Sequence, residues 1–126
     1  MMLTALYAAL LALIYVAISI YVVRLRFRHK VGLGDGKVYP LKRWIRIHAN
    51  FAEYVPFALL LLALLESMNE RPAIIHGLGV ALVAGRLSHL AGLSKSHRTS
   101  PGRFLGSFLT FTVLTLTAIR VLILQG

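Results

Sequence analysis

Charged residues vanish from this chain over four long stretches and crowd into the segments between them. Met1–Val23 carries no charge at all, enough residues to cross a hydrocarbon core of about 30 Å at about 1.5 Å per helical residue. The run lacks a basic leader and a small-residue cleavage site, so it reads as a retained helix and not as a signal peptide. Val31-Gly-Leu-Gly-Asp-Gly-Lys37 then breaks the pattern with three glycines. Its spacing has no βαβ context that would make it a nucleotide loop, and a turn is expected. A second span follows from Leu41 to Leu65, with Pro56 inside it as a helix-kinking residue. Glu66–Arg71 is a polar turn, and Pro72 suits the first turn of a third helix. Ser94–Gly102 is the next polar loop, and Phe104–Ile119 continues to Leu124, with Arg120 snorkelling to the interface. The pattern predicts one all-α transmembrane domain over residues 1–126. Its helices cover about 2–28, 41–66, 72–94 and 101–125, and short loops imply an up-down-up-down four-helix bundle.

Composition agrees. The chain is 58% hydrophobic and 14% charged, against roughly 45–50% and about 25% in soluble domains. The formal net charge of +10 would favour nucleic acid if it lined one soluble face. Instead the cations cluster beside the spans, in Arg24–Arg46 and in Lys95–Arg103, which is the positive-inside pattern. Nucleic acid is set aside. The connections between helices 1 and 2 and between helices 3 and 4 are expected to face the cytoplasm, with both termini on the other side of the membrane. The absence of cysteine removes disulfides, thiolate metal sites and any protein thiol nucleophile.

Candidate chemistry starts with Arg43-x-x-Arg46-x-His48-x-Asn50-x-x-Glu53-x-x-Pro56. Arg46, Asn50 and Glu53 fall at i, i+4 and i+7 and share one helix face. Polar and ionisable groups at membrane depth are costly unless paired, and they mark functional sites. Arg86 and His89 lie three residues apart near the end of the third span, toward the same side. Two readings fit the spacing equally. In one, Glu53 pairs with Arg86 as a helix–helix clamp; in the other, the face is a socket for a small anionic ligand. Arginines take carboxylates in bidentate fashion, Glu53 suits an ammonium and Asn50 an amide. Glutathione presents all of these groups with a thiol, whose reactive thiolate a nearby arginine favours. His48 and Arg43 read as headgroup-level residues, and Arg26 and Arg28 as anchors to anionic lipid. No metal-binding spacing occurs, and the arginine surplus opposes a cation.

The segment Arg43–Pro56 resembles the second-helix signature of the MAPEG proteins, the membrane-associated proteins in eicosanoid and glutathione metabolism. Val23-Arg-Leu-Arg26 matches the end of their first helix and Gly85-Arg-Leu-Ser-His89 the end of their third. The glycine loop and compact length are most similar to the small bacterial inner-membrane branch. The resemblance spans essentially the whole chain. It implies a homotrimer with glutathione as co-substrate in clefts between subunits, open to the cytoplasm. Arg46, Asn50, Glu53, Arg86 and His89 would hold the tripeptide, Arg24 would reach in from a neighbouring subunit, and Arg103 would stabilise the thiolate. An apolar electrophile or lipid hydroperoxide would approach from the bilayer, making the protein a glutathione transferase or peroxidase. Three positions depart from characterised members: Leu93 replaces a tyrosine, Phe104 a serine and Ala49 a basic residue. They bear on the reaction more than on glutathione binding. The alternative is a non-catalytic structural or lipid-binding membrane protein, in which the same residues serve as interhelical clamps.

Overall fold

A computed structural model describes residues 2–95 and 101–126, with the side chains of 93–95 left aside. The side chains of Leu93 and Lys95, and residues 96–100 with Arg98, most of the expected Ser94–Gly102 loop, therefore lie outside what is described. The chain is all-helical there: α1 (Met2–His29), α2 (Tyr39–Ser67), α3 (Pro72–Lys95) and α4 (Pro101–Gln125). All four are long and apolar enough to cross a membrane. α2 starts two residues before the expected Leu41 because Pro40 falls in the first helical turn, where a missing N–H is harmless. It then runs unbroken through Pro56.

α2 and α3 form the middle of the molecule, each packing against the three other helices; among the described residues α1 and α4 do not meet. The inward stripe of α2 is Ile47, Phe51, Val55, Ala58, Leu62 and Leu65, a 3–4 residue spacing that turns one face to the core. Leu11 and Ile18 of α1, Ile75, Leu78 and Leu82 of α3, and Val113 of α4 complete that core. The outside is equally apolar: Leu13, Ile20, Phe57, Leu60, Val80, Phe108 and Leu122 are all exposed. Such a surface is incompatible with water and matches lipid or a partner helix.

The connections are tied by polar contacts that hydropathy does not foresee. Glu66 accepts hydrogen bonds from the backbone N–H groups of Leu3 (2.9 Å) and Thr4 (3.1 Å), so a residue expected in the α2–α3 turn caps α1. Tyr7 is buried and reaches His76 Nδ1 at 2.7 Å, and its ring lies so close to Gly79 that no Cβ fits there. Arg120, expected to snorkel, has a definite partner: its Nε bonds Glu70 Oε2 at 2.5 Å and pins the end of α4 to the α2–α3 turn.

The α1–α2 connection is the expected turn. Gly34 and Gly36 have φ of 70° and 56°, and a Cβ on Gly36 would stand 2.6 Å from Val31 Cγ2; glycine is needed there on both counts. Arg26, expected as a lipid anchor, instead donates to the carbonyl of Gly34 at 2.8 Å and holds the turn against α1.

Candidate functional site

The deepest cation is Arg86 on α3, only 3% exposed. A buried guanidinium must be hydrogen-bonded to be tolerated. Its Nη2 donates to Asn50 Oδ1 of α2 at 2.6 Å and its Nη1 approaches Thr110 Oγ1 of α4 at 3.4 Å. The guanidinium also lies over the Phe51 ring, 5.5 Å from the centroid, a cation–π contact. Thr110 in turn donates to the carbonyl of Gly106 at 2.9 Å. Three helices are thereby joined at one arginine. Among the described residues the nitrogen Nε of Arg86 has no partner, and neither has Nδ1 of His89, one turn further along α3 and 2% exposed.

Small residues bring α3 and α4 together at this level. A Cβ on Gly106 would fall 2.5 Å from the backbone nitrogen of His89 and 2.6 Å from the carbonyl oxygen of Gly85. The backbones are thus in direct contact, as small residues permit in membrane helices. Arg86, Arg103 of α4 and Arg46 of α2 all lie within electrostatic reach of His89. Cations from three helices thus surround His89 at longer range, an electrostatic setting suited to an anion.

The expected face of α2 is divided. Asn50 turns inward to Arg86. Arg46 and Glu53 are exposed on the outside of the bundle, and neither has a hydrogen-bond or ion-pair partner in the chain among the described residues. The Glu53–Arg86 clamp weighed from the sequence is therefore not formed: Glu53 faces outward, while Arg86 is buried and its Nη2 is taken by Asn50. Arg24 is not brought to the cluster either; it lines a separate cleft with Tyr21, Leu25 and Arg28 at the end of α1. Arg103 is half-buried near the start of α4, and Phe104 beside it points outward. His48, expected as a headgroup-level residue, also ties α2 to α1: it stacks on Tyr15 at 4.7 Å and bonds Ser19 Oγ at 3.0 Å. Among the described residues no three His, Asp or Glu side chains converge as metal ligands.

Sequence reasoning missed Thr110 and Gly106. The signal was present as Gly106-x-x-x-Thr110, small and polar residues one turn apart on an otherwise apolar helix. An apolar groove of about 280 Å³ lies beside the cluster, between α1 and α2, lined by Leu11, Tyr15, Ala52, Val55 and Phe51, the ring that also faces Arg86.

The chain is 40% identical over 115 residues to the inner membrane protein YecN of Escherichia coli K12, a match covering 91% of this chain and 86% of that protein. The YecN protein of Escherichia coli O6:H1 matches to the same extent. The MAPEG family model matches residues 4–123, a span that takes in all four helices and every residue of the Asn50–Arg86–Thr110 junction, and this membrane protein accordingly belongs to the MAPEG family.

Proposed function

We propose that the protein binds glutathione as co-substrate and acts as a transferase or peroxidase on hydrophobic electrophiles or lipid hydroperoxides. The observation that carries the reading is Glu53. It stands halfway along a membrane-length helix, exposed and without a charge partner in its own chain. A carboxylate at that depth is costly unless something compensates it, and a ligand ammonium between subunits does so. The remaining groups fit the same molecule. Arg46 is exposed two turns from Glu53 on the same helix, and Arg86 Nε and His89 Nδ1, unpartnered among the described residues, offer hydrogen bonds to a ligand's carboxylate or amide groups. Arg46, Asn50, Glu53, Arg86 and His89 would hold the tripeptide, joined by Arg24 of the next subunit of a homotrimer. Glutathione supplies the thiol that the cysteine-free chain lacks. Arg103 favours its thiolate through charge, and the groove along Phe51 receives the apolar second substrate.

The reading treats residues 1–126 as one transmembrane domain, an up-down-up-down bundle in the bacterial inner membrane, as YecN's name states for that relative. The α1–α2 and α3–α4 connections face the cytoplasm by their cations. Glutathione at millimolar concentration should raise the melting temperature of the detergent-purified protein, and Glu53→Ala or Arg46→Ala should each abolish the rise. No rise in the wild type sinks the proposal.

A second reading is favoured by one observation, the 2.6 Å bond between Arg86 and Asn50. In it the polar residues are interhelical clamps of a non-catalytic lipid-binding protein. It accounts for Asn50, Arg86 and Thr110, and leaves Glu53 without a role.

A further inference from the structure

Arg86 and His89 are buried inside the bundle, whereas Arg46 and Glu53 stand on the outer face of α2. A ligand lying along that outer face does not reach the inner pair unless helices part. The guanidinium of Arg86 is also only half occupied on one edge. Nε and Nη2 form the edge of the planar group that takes both oxygens of a carboxylate. Asn50 Oδ1 sits on Nη2 at 2.6 Å, and Nε beside it has no partner among the described residues. One neutral oxygen thus stands where two charged ones fit.

The chain divides at this bond into two helical pairs. α3 and α4 meet backbone to backbone: a Cβ on Gly106 would lie 2.5 Å from the His89 nitrogen, and one on Gly102 3.3 Å from the Gly92 Cα. α1 and α2 are joined by Glu66 at one end and by the His48–Ser19 bond toward the other. α1 and α4 do not meet among the described residues. Within the spans described, two side-chain hydrogen bonds tie one pair to the other: Tyr7 to His76 at 2.7 Å near one end, and Asn50 to Arg86 toward the opposite end. Lipid supplies no hydrophobic force between helices, so a seam in a bilayer is held by packing and by such polar ties.

We propose that the Asn50–Arg86 bond is a latch on the seam between α2 and the α3–α4 pair. It keeps the seam closed in the empty protein; a ligand carboxylate takes the Nε–Nη2 edge in place of Asn50 and holds the seam open. The α3–α4 pair swings as a unit about the Tyr7–His76 end, uncovering His89 Nδ1 together with Arg86. The displaced Asn50 amide then becomes available to a peptide group of the ligand. The inference rests on the glutathione reading for the identity of the ligand, and its first test is made without any.

The chain has no cysteine, so single introduced cysteines report on the seam. Leu82→Cys lies one turn before Arg86 on the same face, and Thr110→Cys lies opposite on α4; both positions are buried. Ile75→Cys, equally buried beside His76 at the pinned end, is the control. Modification by N-ethylmaleimide is followed in detergent. Both seam reporters should react about tenfold faster than the control. In the Leu82→Cys background Asn50→Ala should speed the reaction about tenfold. Asn50→Asp, whose carboxylate fills both places on the edge, should slow it about tenfold. Should Leu82→Cys fail to fold, Thr110→Cys, close to threonine in size, carries the same comparison. If both Asn50 substitutions speed the reaction, Asn50 merely packs; if all three cysteines react alike, the seam does not open. Either result overturns the latch and leaves the glutathione reading standing on Glu53 and Arg46. S-methylglutathione, which has no free thiol, is then titrated by melting temperature. Its shift in the wild type should be lost in Asn50→Asp, and an undiminished shift in that variant overturns the displacement. No shift in the wild type, with opposite effects of the two Asn50 substitutions on labelling, would remove glutathione as the ligand and keep the latch.

Discussion

Arg86 is bonded to Asn50, and Glu53, three residues further along the same helix, is not its partner. The polar face of α2 is therefore half structural and half open, and the two halves should answer differently to mutation. Asn50→Ala leaves a buried guanidinium short of its best acceptor and should destabilise the fold by about 1–3 kcal/mol. Glu53→Gln should leave the stability of the unliganded protein nearly unchanged. A double-mutant cycle by denaturant unfolding should show coupling for Arg86 with Asn50 and none for Arg86 with Glu53. Coupling to Glu53 of similar size would restore the clamp.

How much of this was legible beforehand follows from where the information resides. Span lengths, the glycine turn and the start of α3 at Pro72 are local, and hydropathy and backbone preference are enough to place them. The shared face of Arg46, Asn50 and Glu53 is also local, because it follows from helical period. Which part of that face is covered is decided by where α3 and α4 lie against α2, and no periodicity in α2 contains that. The same holds for Glu66, Glu70 and Arg120. Each looks like an interfacial residue in its own segment, and each finds a partner only once distant helix ends are brought together.

Glu66 makes a second prediction. Its carboxylate takes the N–H groups of Leu3 and Thr4, donors that a helix start leaves without internal partners, and its charge suits the positive end of the helix. Glu66→Ala should cost about 1 kcal/mol, the usual size of a lost cap. The damage should be local. Amide exchange at the start of α1 should accelerate while the amides around Leu11 and Ile18 stay protected; uniform acceleration would contradict a capping role.

Glu70 predicts an acid sensitivity. The hydrogen bond from Arg120, followed by that from the Arg71 backbone, holds its carboxyl below the ordinary glutamate range. A depressed carboxyl contributes stability that is present above its unfolded pKa, about 4.3, and is lost as pH falls through the lower folded value. Melting temperatures of the wild type and Glu70→Gln should therefore differ at pH 7 and converge as the pH is lowered below about 4.3. A gap that persists unchanged into acid would show that the Glu70–Arg120 pair contributes nothing through charge.

The α3–α4 contact gives the sharpest geometric prediction. At Gly106 a Cβ would lie 2.5 Å from the backbone nitrogen of His89, and backbone cannot yield as a flexible side chain does. Gly106→Ala must push α4 away from α3, stretching the Arg86–Thr110 contact and moving His89. A cost of about 1–3 kcal/mol is expected for such overpacking. Gly77 on α3 is the control, since nothing lies within 4 Å of a Cβ built there. Gly77→Ala should be neutral or stabilising by up to about 1 kcal/mol, the helix preference of alanine over glycine. If glutathione occupies the cationic cluster, Gly106→Ala should also weaken its thermal shift, because His89 and Arg86 ride on the displaced interface, while Gly77→Ala should retain the shift in full. Equal stability of the two variants would mean that the helices are not in backbone contact at Gly106.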